Sequence, residues 1–145
     1  MSEQQPSQVL RSIGAVVAGI VVGLILTIAT DIVLFKAGVF PPIGQPASSS
    51  SLLLATIYRT VYGVLGSYVI ARLAPSAPMK HALVSGAIGV VVSTVGAVVT
   101  WNKATFGPHW YPVTLIVLSM PSAWAGAKIR EAQITKAQQM SAKMS

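Results

Sequence analysis

The sequence predicts an all-α fold, an integral membrane bundle of four transmembrane helices with both termini cytoplasmic and short polar tails. Three observations predict it. Of the 145 residues 53% are apolar and only 9% are charged, whereas a water-soluble domain carries about a quarter charged residues. The mean hydropathy is +0.69. The apolar residues fall into four blocks, each about long enough to cross roughly 30 Å of hydrocarbon. The net charge of +7 comes mostly from basic residues at the block ends, where they set orientation in a bilayer instead of contacting nucleic acid.

Taken in order, a polar N-terminal tail, residues 1–12, leads into the first block, 13–35, which Lys36 closes. Its apolar stretch is about twenty residues, longer than the roughly 7 to 15 of a secretory signal. It also carries Asp31 and no convincing cleavage site, so a retained span is expected. Pro41, Pro42, Pro46 and a serine run then suit an ordered turn better than a helix. The second helix is expected over 52–71, ended by Arg72 and then by Pro75 and Pro78. The third, 82–100, is followed by Trp101, Asn102, Lys103 and a Gly-Pro turn. The fourth, 110–127, is the shortest and holds Pro121, which should kink it by removing a backbone hydrogen bond. Residues 13–127 thus form one transmembrane domain, and 128–145 a basic cytoplasmic tail too poor in apolar residues for another span.

Orientation follows from the basic residues. With the N-terminus inside, the cytoplasmic segments hold Arg11, Arg72, Lys80, Lys128, Arg130, Lys136 and Lys143, and the outer loops only Lys36 and Lys103. Seven against two satisfies the positive-inside rule. Trp101, Trp110 and Tyr111 then gather at the outer surface as an aromatic belt.

Small residues recur at every fourth position in the first three blocks, which places them on one face of each helix. The stripes are Ala15, Gly19, Gly23 and Thr27; Ala55, Gly63, Ser67 and Ala71; and Ser85, Gly89, Ser93 and Ala97. Helix four has a looser version in Ser119, Ser122, Ala123 and Gly126. Lipid tails are as apolar as leucine, so helices associate in a bilayer through close backbone packing, which small residues permit. Gly19, Gly23, Gly63, Ser67, Gly89 and Ser93 are therefore expected at helix contacts, within the bundle or in a homo-oligomer.

Asp31 and Arg59 are the charges well inside the apolar blocks, and each sits on a small-residue stripe. At 1.5 Å per residue, Asp31 lies roughly 7 Å below Lys36 and Arg59 roughly 12 Å below Ser51, both in the outer half. Charges at such depth are costly and are usually paired or functional. An intramembrane ion pair between helices one and two is expected, either fixing helix register or also lining a polar cavity. Thr27 and Thr56 are candidate supporting hydroxyls. Tyr62, within one turn of Arg59, is expected to be a better partner than the adjacent Tyr58.

Other chemistries fail on spacing. His81 and His109 fall at opposite ends of the bundle and cannot share a metal, whose nitrogens must lie within about 2 Å. No nucleophile elbow, zinc-protease motif or phosphate-binding glycine loop occurs. Helices one and two do not align with three and four as an inverted repeat. No catalytic residue, metal site or cofactor is expected, and the chain is read as no enzyme. The absence of cysteine excludes disulfides and thiolate chemistry.

The runs Ala29-Thr30-Asp31, Gly38-Val39-Phe40-Pro41-Pro42 and Tyr58-Arg59-Thr60-Val61-Tyr62-Gly63, with Ala71-Arg72-Leu73-Ala74-Pro75 and Trp110-Tyr111-Pro112, carry a likeness. The chain resembles a family of small, uncharacterised four-helix bacterial membrane proteins. The resemblance implies a bacterial inner-membrane location and supplies no activity, substrate or cofactor. Two functions are left open. The preferred one is a structural or interaction protein that packs through its small-residue faces around a buried pair of Asp31 and Arg59, with the bilayer and a homo-oligomer or another membrane protein as partners, because one charged pair is meagre for a conduction path. The alternative is a small channel or transporter-like protein with a polar cavity around Asp31 and Arg59.

Overall fold

The computed structural model describes residues 4–145. It consists of α1 (Gln4–Lys36), α2 (Ser49–Leu73), α3 (Pro78–Thr100) and α4 (Trp110–Met144), with a 3-10 turn, Ala104–Phe106, before the last helix. The first three residues of the expected N-terminal tail lie outside the described residues. All four helices are long and apolar enough to cross a membrane.

The helices reach past their apolar blocks for local reasons. α2 starts at Ser49 because the Ser48 hydroxyl accepts a hydrogen bond from the Ser51 amide at 3.2 Å, so part of the serine run forms a cap and first turn. α3 starts at Pro78, whose missing N–H costs nothing in a first turn. Ala77 before it takes a left-handed conformation with φ +43° to turn the chain. α4 runs through Pro121 and on to Met144. Residues 128–144 lack glycine and proline and are rich in the strong helix formers alanine, lysine and glutamine. Tyr68 of α2 donates to Gln133 Oε1 at 2.9 Å and ties this extension to the bundle. α4 has 35 residues, about 52 Å.

α4 packs along both α2 and α3, and α1 packs along α2, whereas α1 and α3 barely meet. The buried residues are mostly alanines, among them Ala55, Ala71, Ala82, Ala123 and Ala127, and among the described residues Ile70 is the one large side chain fully enclosed. Large apolar side chains such as Leu10 and Val98 point outward, at 69% and 72% exposure. Small residues inside and large ones outside is the arrangement that close backbone packing requires.

The tightest approaches are at glycines. A methyl group at Gly19 would collide with the Gly66 carbonyl and Ile70, joining α1 to α2. At Gly126 it would lie 2.5 Å from the Val64 carbonyl oxygen and 2.7 Å from the Tyr68 nitrogen, joining α4 to α2. At Gly86 it would lie 2.8 Å from Ala123 Cβ, joining α3 to α4.

Candidate functional site

The polar cluster is built where α1, α2 and α4 meet near the end of the bundle that carries residues 37–48. Arg59 Nη2 donates to Asp31 Oδ2 at 2.9 Å. Tyr58 donates its hydroxyl to Asp31 Oδ1, so each carboxylate oxygen is engaged by α2. The guanidinium carbon lies 6.0 Å from the centre of the Tyr111 ring on α4, close enough for a cation–π attraction. The pair is neither sealed nor free: the side chains of Arg59 and Asp31 are 33% and 25% exposed. Among the described residues the buried Arg59 Nε has no hydrogen-bond partner.

The supporting residues differ from those that spacing suggests. Tyr58, not Tyr62, reaches the carboxylate, because the side chain of Asp31 comes from a neighbouring helix and meets the face of α2 that carries both residues 58 and 59. Tyr62 instead shares a 2.8 Å hydrogen bond with Thr30, whose hydroxyl also donates to the Leu26 carbonyl at 2.8 Å. Thr30, not Thr27, is thus the α1 hydroxyl that reaches α2, and it meets Tyr62 instead of the ion pair. Thr56 is buried but donates to the Leu52 carbonyl of its own helix, 2.9 Å away. By position, next to Trp110, Tyr111 reads only as part of the interfacial belt, and nothing in the sequence signals its place beside Arg59.

Of the expected packing residues, Gly19 and Ser67 lie in close contacts, Ser67 beside Gly126. Gly63 faces the Ser122 hydroxyl across 3.1 Å from where a side chain would begin, and Gly89 faces Ser119 across 3.4 Å. Gly23 is looser, at 3.6 Å from the Tyr62 carbonyl, and Ser93 is half-buried. The tight positions Gly66, Gly86 and Gly126 lie on or beside these stripes.

Two open cavities meet at the cluster. One, of about 500 Å³, is lined by Asp31, Arg59 and Tyr111 with Phe35, Phe40, Pro41 and Phe106. The connection after α1 shapes it: Ser51 donates to the Val39 carbonyl at 2.9 Å, and the Phe35 and Phe40 rings sit 5.4 Å apart. The other, of about 420 Å³, is a cleft walled by α1 and α3 and floored by α2 and α4, running from Arg59 past Gly63, Gly89 and Ser119 to Ile70 and Gly86. Arg59 is the one residue common to both linings.

The histidines remain apart from this site. His81 Nδ1 lies 3.1 Å from the Ala77 carbonyl oxygen, and His109 stacks on Trp101 with its Nε2 2.8 Å from the Trp101 carbonyl oxygen. Among the described residues no group of three or more metal-ligating side chains occurs. No family model matches the chain, and neither a curated protein nor a solved structure does.

Proposed function

We propose that this chain is a multi-pass protein of a bacterial inner membrane that handles a small ligand without transforming it, in the manner of a small transporter. Both termini are cytoplasmic in this reading, so the 500 Å³ cavity is an outer vestibule and the 420 Å³ cleft lies within the membrane. Arg59, held by Asp31, whose other oxygen accepts from Tyr58, stands between them. The observation that carries the proposal is that one side chain lines both cavities. A rotation of that side chain is a far smaller event than a rearrangement of helices, and it would join the two spaces.

The absence of cysteine gives the test a clean background. Cysteine placed at Ser93, in the cleft, should react slowly with a charged methanethiosulfonate reagent added outside the cell. With Arg59→Ala or Tyr58→Phe added, the reaction should quicken at least tenfold, while a cysteine at Thr105 in the vestibule reacts quickly throughout. Equal, slow labelling of position 93 in all three backgrounds would remove the reading.

A structural or interaction role is the second reading, favoured by Gly14 and Gly96. Both face open space, with nothing within 4 Å of where a side chain would begin. Glycines on an outward helix face permit close approach of another helix, including one from a second copy. Leucine at both positions should abolish any dimer seen by crosslinking in membranes, and crosslinking at parental levels would discard this reading.

A further inference from the structure

The chemistry of the cleft narrows what it can hold. Four of its hydroxyls are engaged locally: Thr60, Ser85, Ser119 and Ser122 each donate to a carbonyl of their own helix at 2.7 to 3.0 Å, and Ser67 and Ser93 are the two further serines of the lining. The Tyr62 hydroxyl is paired with Thr30. Most of the remaining wall is glycine and aliphatic side chain, including Ile20, Leu24, Ile88 and Val92. A proton or a hydrated ion needs a succession of exchangeable polar groups, and beyond Arg59 this wall adds only Ser67 and Ser93, on different helices. A hydrocarbon chain needs only width, which the glycines provide.

The ends and sides of the cleft point the same way. Its one charged lining residue, Arg59, stands at one end, next to the vestibule. A guanidinium has five N–H donors; Asp31 takes one, and the buried Nε is left without a partner among the described residues. The Arg59 side chain is nevertheless 33% exposed, and an anionic oxygen is the strongest partner for guanidinium donors on that exposed part. From Arg59 to Ile70 the cleft extends about 16 Å along α2. Because α1 and α3 barely touch, it is open along its side, toward the surrounding hydrocarbon in the proposed membrane setting.

From these observations we infer that the cleft takes a single-chain anionic amphiphile from the bilayer, its hydrocarbon tail between α1 and α3 and its head on the free donors of Arg59 beside the vestibule. The inference rests on the reading of the cleft as a ligand site and supplies the class of ligand. It also gives the aromatic vestibule a role, as the space into which the head projects.

The probe is a hexadecyl phosphate bearing a diazirine near the chain end, photolysed with the full chain in phosphatidylcholine nanodiscs and mapped by peptide mass spectrometry. Label should concentrate on residues 20–24 of α1 and 85–93 of α3. Excess hexadecyl phosphate should suppress it at least tenfold, whereas hexadecanol should not. Arg59→Gln should lower labelling about tenfold, and Ser93→Phe, which fills the cleft without touching the ion pair, should remove it even if the Arg59 variant proves unstable. Label spread over the outward faces of all four helices, insensitivity to Ser93→Phe, or equal competition by hexadecanol would each overturn the inference. If the thiol at position 93 opens to the outside in the Arg59→Ala background but the phosphate does not label the cleft, the ligand class falls and the cleft reading stands. If the phosphate labels the cleft but the thiol never opens, passage from the vestibule falls and the amphiphile site stands.

Discussion

Asp31 accepts from two neighbours on α2 at once, a phenol and a guanidinium. Removing one partner of such a pair strands the other, whereas removing both can be nearly neutral. Arg59→Met leaves a carboxyl group that can take up a proton, but Asp31→Leu leaves a guanidinium that stays charged and must draw in water. Asp31→Leu is therefore expected to be the worse single change, costing about 3 kcal/mol, with much of the loss recovered in the double variant. Detergent unfolding of the parent, both singles and the double provides the measurement, and strictly additive losses would show that the residues do not act together. The pairing was legible in the sequence, because two charges on small-residue faces at similar depth have few other partners. Its phenolic support was not. Counting turns along one helix favours Tyr62 over Tyr58, but the geometry is set by where α1 crosses α2, which no spacing within α2 reveals.

The element scale turns on where two helices can touch. Gly126 sits against the backbone of α2, with no flexible side chain to yield. Gly126→Ala should therefore destabilise the bundle by roughly 1 to 3 kcal/mol, the usual cost of overpacking. Gly23, with only ordinary contact at 3.6 Å, should accept alanine with no loss, since alanine is the better helix former by roughly 0.5 to 1 kcal/mol. Thermal unfolding of the two variants in one detergent separates them, and equal effects would mean that the contacts at α2 are not specific. The four helices were readable from their apolar blocks, yet their ends and contact faces were less so. A strict four-residue stripe selects Gly63 and Ser67 but passes over Gly66, because contact faces mix steps of three and four around 3.6 residues per turn. The extension of α4 past residue 127 has no apolar signal at all, only helix propensity and the hydrogen bond from Tyr68 to Gln133.

For the whole molecule, the basic residues argue that both termini face the cytoplasm. Single cysteines at Gln45 and Asn102 should react with an impermeant maleimide on intact cells, and those at Ser76 and Ser141 only after lysis; the opposite pattern would invert the topology and place the vestibule inside. The sharing of Arg59 by two cavities has a thermodynamic consequence whichever way the molecule is oriented. An occupant of one space that displaces the guanidinium changes the volume and the charge offered to an occupant of the other, so the two occupancies are not independent variables. The factor by which a vestibule occupant alters affinity in the cleft must equal the factor by which a cleft occupant alters affinity in the vestibule. A single arginine wall therefore makes the two faces of the bundle reciprocal reporters of each other.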